Sequence, residues 1–170
     1  MGIFSGNPKE QPLHYGEVFG IWSYLMTAKG TVAANQTQYN HAGDEDLKKM
    51  LEEAIRCSQE EIKQIEALLK VNGVGLPPTP PERPHAHAED IPVGARFADQ
   101  EMATMLGAQN SAGLVACSTI MGESIREDIA MMFGQFHMQK ASFGGKLLRM
   151  MKEKGWIVPP PLHNYRLEDH

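Results

Sequence analysis

The chain has 170 residues, a net charge of −5 and two cysteines. This length is sufficient to bury a core without disulfides or metals, and 42% hydrophobic with 22% charged residues is typical of a globular protein. The negative balance and the scattered lysines and arginines argue against a nucleic-acid partner. Cys57 and Cys117 fall inside predicted helices, so we expect free thiols in a reducing compartment.

The first residues lack a basic segment followed by an apolar run, and no apolar stretch is long enough to span a bilayer. We therefore expect synthesis in the cytoplasm, no secretion by a signal peptide and no membrane span.

Apolar periodicity predicts four helices. The first is apolar over much of its circumference, which places it in the centre of the core or at a subunit contact. The second begins at acidic residues around Asp44 and stops at Asn72-Gly73. The third is rich in glycine, alanine and serine, which suggests close approach between helices. The predicted helices cover residues about 14–38, 45–71, 97–121 and 125–154, followed by an extended tail over 156–170 that is anchored by Trp156.

A proline-rich connector over residues about 72–95 separates the two helical pairs. A proline-rich chain advances about 3.1 Å per residue, so this segment can traverse a helix of roughly 28 residues, which is about 42 Å long. Helix pair, long crossover and helix pair is the ferritin-like arrangement. The alternative is a flexible linker between two hairpins, which the apolar residues Val74, Leu76, Ile91 and Val93 make less favourable. The fold class expected for residues 1–170 is a single all-α, ferritin-like four-helix bundle.

That fold raises the question of a di-metal site, whose usual ligands are two Glu and two Glu-x-x-His pairs on the helices. The only Glu-x-x-His here, Glu82 to His85, lies in the crossover. The residue three before His137 is Gly134, which cannot be a ligand. An atypical metal site remains open, and its weak candidates are Glu17, Glu60, Glu61, Glu127 and His137. A surface divalent ion at His85 and His87 is a second weak candidate.

Glu17 lies in register with apolar positions of the first helix, so burial would require a charged partner. Arg126 is the expected partner, and a structural ion pair is favoured over a metal ligand. No nucleophile motif or phosphate-binding loop occurs, so no catalytic residue is predicted and an enzymatic role is disfavoured.

Three segments resemble a family of small proteins of spore-forming bacilli: PLHYGEVF at 12–19, GVGLPPTPPERP at 73–84 and SIREDI at 124–129. Members of this family carry the label of spore coat proteins and are similar to spore coat protein F. The resemblance covers nearly the whole chain and implies a ferritin-like four-helix fold. It supplies no catalytic residues that could be carried over to this sequence.

Two interpretations of function follow. The first is a non-catalytic structural or interaction protein without a cofactor, associated with the spore coat. Its expected partners are a second copy in a homo-dimer or other homo-oligomer, and other spore coat proteins. The alternative is an atypical metal-binding or redox ferritin-like protein that binds a divalent metal.

Overall fold

The computed structural model describes residues 8–163. The predicted tail beyond residue 163 and the first seven residues lie outside this part. Four long helices and three short 3-10 turns occur, and these residues contain no strand. The long helices are α1 (Tyr15–His41), α2 (Glu45–Val71), α3 (Asp99–Glu123) and α4 (Glu127–Glu153), and the turns are Pro8–Glu10, Ala88–Asp90 and Val93–Ala95.

The ends of α1 and α2 are fixed by side chains that cap them. The ring of His14 accepts a hydrogen bond from the backbone N–H of Gly16 at 3.0 Å, and the Glu17 carboxylate accepts one from the backbone N–H of His14. The Asp44 carboxylate accepts from two N–H groups in the first turn of α2. Helix α2 ends before Gly73, whose φ of 71° suits glycine.

Helix α1 ends at His41, three residues beyond the predicted position. Its last turn is polar and carries no periodic apolar signal, so its end could not be located from the pattern. Asn40 holds this turn in place, because its amide donates to the carbonyl of Pro84 at 2.8 Å and accepts from the N–H of Ala86 at 3.1 Å.

The core consists of two apolar clusters, one towards each end of the bundle. All four helices contribute buried side chains to the first cluster, whereas those of the second come from α2, α3, α4 and Ala42, with Tyr39 of α1 packed against them. Burying one large aliphatic or aromatic side chain contributes about 1.5–3 kcal/mol. The first cluster includes Ile21, Leu25, Ile65, Leu69, Ile120, Ile129, Phe133 and Phe136. The second includes Leu47, Leu51, Met102, Leu106, Phe143, Leu147 and Met150, with Trp156 packed against it as expected.

The proline-rich crossover runs along the outside of α1 and brings α3 back parallel to α2, as the length argument predicts. Side chains of α1 bind its main chain at successive levels. The indole N–H of Trp22 donates to the carbonyl of Gly75 at 2.9 Å, and the ammonium of Lys29 donates to that of Pro77 at 2.9 Å. Trp22 and Lys29 are seven residues apart and therefore lie on the same face of α1, and this face holds the crossover in place.

Candidate functional site

A polar cluster lies in the bundle interior between the apolar clusters. Glu61 of α2 is 2% exposed, and its carboxylate accepts from the hydroxyl of Tyr24 on α1 at 2.8 Å. The ammonium of Lys140 on α4 donates to both carboxylate oxygens, at 2.8 and 3.0 Å. The thiol of Cys117 on α3 lies 3.6 Å from the Tyr24 hydroxyl. These four residues, one from each helix, form what we call the central polar cluster.

The electrostatics of the cluster keep its two weak acids protonated. Burial raises the pKa of Tyr24 well above its usual range, and the neighbouring charge of Glu61 raises it further. Burial also raises the pKa of the Cys117 thiol. At neutral pH the phenol and the thiol are therefore hydrogen-bond donors, and Cys117 lacks the thiolate character of a reactive cysteine.

Two spaces adjoin the central polar cluster. A small pocket of ≈ 70 Å³ is lined by Asn35 and Glu61 among others, and a groove of ≈ 410 Å³ opens between α1 and α3. The side-chain oxygens of Asn35 and Gln109 are buried and accept no hydrogen bond within residues 8–163. Both residues line the ≈ 70 Å³ pocket, which has room for several waters that can donate to both oxygens.

Two glycines allow side chains to cross between α3 and α4. A Cβ atom on Gly113 would lie 2.9 Å from Cδ of Lys140, and one on Gly144 would lie 2.7 Å from the amide nitrogen of Asn110. Gly113 therefore makes room for the lysine that neutralises Glu61. Many other small residues of α3 face solvent instead of a neighbouring helix, namely Ala108, Ser111, Ala112 and Ser118.

Glu17 is buried at one end of the bundle, where it binds the turn between α3 and α4. Its carboxylate accepts from the backbone N–H of Ile125 at 2.9 Å and of Arg126 at 3.1 Å. The expected ion pair between the two side chains is wrong, since the guanidinium of Arg126 pairs with Asp128 at 2.7 Å. The first N–H groups of a helix need acceptors, and Glu17 supplies one at the start of α4.

The Arg126 guanidinium itself ties three segments together. It donates to the Gln11 carbonyl and to the Asn72 side chain, each at 3.1 Å, besides its bonds to Asp128. Those bonds to Asp128 lower the pKa of that carboxyl. A buried guanidinium with its donors used in this way is structural, because its bonds hold the ends of α2 and α4 together.

The remaining weak metal candidates are dispersed over the helices. Glu60 is exposed and lies 3.3 Å from Arg56, Glu127 is exposed at the first turn of α4, and His137 is half-buried on the same helix. Within residues 8–163 no group of three or more His, Cys, Asp or Glu side chains is placed to hold a metal ion. The structure therefore does not gather Glu17, Glu60, Glu61, Glu127 and His137 into one site.

The histidines of the crossover lie close to each other. The rings of His85 and His87 are 5.6 Å apart between centroids, and His85 also stacks edge-on against Tyr39 at 5.9 Å. In the described part of the chain, no third ligand completes a site there.

Sequence reasoning missed Tyr24 and Lys140 as members of the central polar cluster, and Lys29 as a support of the crossover. Lys29 and Lys140 did carry a signal, because each is a lone cation among apolar, small and neutral polar residues. Lys29 is 4% exposed and pairs with Glu66 at 2.8 Å. Such isolated cations on otherwise uncharged helix faces are candidates for buried pairs.

Comparison with known families matches residues 1–168 to a family described as "Protein of unknown function (DUF3231)". The chain belongs to the DUF3231 family. It is 60% identical over 163 residues to uncharacterized protein YvdQ of Bacillus subtilis (strain 168), with 96% of each chain covered. This agrees with the resemblance to proteins of spore-forming bacilli.

Two solved structures are similar to this member of the DUF3231 family. One is a "putative spore coat protein" of Bacillus halodurans C-125, with a TM-score of 0.92, 55% identity, and 94% of this chain and 100% of that chain covered. The other is an Anabaena variabilis protein with DJ-1/ThiJ/PfpI-like and ferritin-like domains, with a TM-score of 0.65 and 13% identity. The match covers 95% of this chain and 43% of that protein. Because the identity is so low, the likeness shows a ferritin-like fold alone.

Proposed function

We propose that this DUF3231 protein is a non-catalytic structural component of the bacterial spore coat. The observation that carries the proposal is that the carboxylate in the middle of the bundle is already paired within the protein. The buried carboxylate in the middle of the bundle, Glu61, is fully engaged by an ammonium and a phenol, and a ferritin-like di-metal site would need several free carboxylates there.

The conformation of the cluster also favours a structural role over chemistry. Each of the four helices contributes one side chain, so the hydrogen bonds fix the helices relative to one another in the polar middle of the bundle. The similarity to a Bacillus halodurans protein described as a "putative spore coat protein" supports the location.

The proposal is tested by following a fluorescent fusion of the full chain during sporulation of a Bacillus host. We expect a signal around the forespore that persists on purified spores and co-extracts with coat proteins under alkaline detergent. A fusion of an unrelated protein expressed from the same promoter is the control. Fluorescence that stays diffuse in the mother cell and is absent from spores would refute the proposed location.

A further inference from the structure

The outward faces of α1 and α3 carry no charge over most of their length. The two Asp, Glu, Lys or Arg residues of α1, Glu17 and Lys29, are 2% and 4% exposed, because Glu17 binds the turn between α3 and α4 and Lys29 lies under the crossover. Helix α3 has no such residue between Met102 and Gly122. Helices α2 and α4 carry surface ion pairs instead, such as Lys146 with Glu53. An uncharged strip along two neighbouring helices is unusual for a surface that meets only water.

This strip combines large apolar side chains with a depression. Phe19 is 73% exposed, Met26 is 48% exposed and Val115 is 67% exposed. Beside them the ≈ 410 Å³ groove between α1 and α3 has walls of mostly small side chains, with Glu123 at one end. We call this surface the α1/α3 face, and it is formed by Phe19, Gly20, Ser23, Met26, Thr27, Ala112, Val115, Ala116 and Thr119.

We infer that the α1/α3 face is where a second copy of this chain docks. A two-fold interface between identical chains requires one patch to carry both projections and the depressions that receive them, and the α1/α3 face carries both. The charge pattern points to the same occupant. Two chains of net charge −5 repel each other, so they associate most readily through a surface with little charge. Among the exposed residues that line the groove, Glu123 at one end carries the single charge.

The inference deepens the proposed structural role and rests on it, since a coat component needs contacts through which it assembles. Docking would bury Phe19, Met26 and Val115 and would close the mouth of the groove that leads to Glu61 and Lys140. An apolar patch that is exposed in the single chain would thereby be removed from water.

The test places one negative charge on each wall of the groove. Thr27 and Ala112 are exposed positions inside helices, so Thr27→Glu and Ala112→Glu are tolerated by a single folded chain. The matched control is Gln64→Glu, which adds the same charge at an exposed position of α2. Light scattering after size-exclusion chromatography measures the mass of each protein over a dilution series, and circular dichroism checks helicity.

We expect wild type and Gln64→Glu to have twice the chain mass of 18.9 kDa. Thr27→Glu and Ala112→Glu should raise the dimer dissociation constant by roughly a hundredfold, because like charges would face each other in the interface. Phe19→Ser introduces no charge and should also weaken the dimer, which keeps the test decisive if a glutamate variant fails to fold.

Two results would overturn the inference, and each has a different consequence for the proposed function. Dimers of unchanged affinity in all variants would place the contact elsewhere and leave the structural role standing. A wild-type monomer at every concentration would exclude a second copy as the occupant. The sporulation experiment would then decide separately whether the protein still belongs to the spore coat and meets a different partner.

Discussion

At the residue scale, the buried Glu61–Lys140 pair is the feature with the largest predicted energetic effect. The carboxylate is almost completely shielded from water, and the side chain of Lys140 is 17% exposed. Removing a buried charge's partner costs more than the pair itself contributes, because the remaining charge stays in a poorly solvating interior.

Lys140→Met should therefore destabilise the protein by about 3 kcal/mol, measured as the free energy of unfolding in urea followed by circular dichroism. Lys146→Met is the matched control on the same helix. The ammonium of Lys146 also lies 2.7 Å from a glutamate, but its side chain is 52% exposed, so its loss should cost under about 1 kcal/mol.

A double variant separates charge from packing. In Glu61→Met with Lys140→Met no unpaired charge remains, but the buried Tyr24 hydroxyl loses its acceptor, so stability should return to within about 1–2 kcal/mol of the wild-type value. Equal destabilisation by Lys140→Met and Lys146→Met would show that Glu61 is better solvated than its burial implies.

At the element scale, the crossover depends on α1 for its path. Prolines remove N–H donors from the segment, so much of its attachment comes from its carbonyls, which accept hydrogen bonds from α1 side chains. Lys29 does more than hold Pro77, because its ammonium also pairs with Glu66 of α2 and lowers the pKa of that carboxyl. One lysine thereby joins α1, α2 and the crossover.

We predict that Asn40→Ala loosens the middle of the crossover without unfolding the bundle. The substitution removes the bonds to Pro84 and Ala86, which together are worth about 1 kcal/mol at an exposed site. A Glu-specific protease should then cleave after Glu82 roughly fivefold faster, since cleavage follows the population of the opened segment.

Thr37→Ala is the control for this measurement. The Thr37 hydroxyl bonds within α1, to the carbonyl of Ala33, and leaves the crossover untouched. If both variants were cleaved at the wild-type rate, the bonds from Asn40 would not be what holds the segment.

At the scale of the whole molecule, a ferritin-like bundle surrounds a buried, charge-paired carboxylate. Glu61 lies in the middle of the bundle, but its counter-charge is the ammonium of Lys140. No helix among residues 8–163 is both long and apolar enough to cross a membrane. The ferritin-like fold of this chain does not by itself establish its function.

Elemental analysis of the purified protein addresses the metal-binding alternative directly. We expect less than about one tenth of an equivalent of iron, manganese or zinc per chain after dialysis without a chelator, because ligands from several helices would have to converge on an ion. One equivalent or more that is lost in a Glu61→Gln variant, while the fold is retained, would establish an atypical site and contradict the non-catalytic proposal.

The local features of the sequence were sufficient to predict the four helices and the crossover. These features are apolar repeats of 3.6 residues, acids at Asp44 to Asp46 and prolines between 77 and 84. Each depends on residues that are close in sequence, so it can be recognised without the tertiary structure. The predicted ends differ from the observed ones by a few residues where no local signal marks them, as at His41.

Only the tertiary structure decided what the polar residues do. Glu17 was paired with the side chain of Arg126 in the prediction, although it binds main-chain N–H groups, because the choice depends on distances across more than a hundred residues of chain. Tyr24, Glu61 and Lys140 likewise meet only when three helices pack. The apolar circumference of α1 predicted a core or subunit position, and packing decided which of its faces hold the crossover, fill the core or remain uncovered.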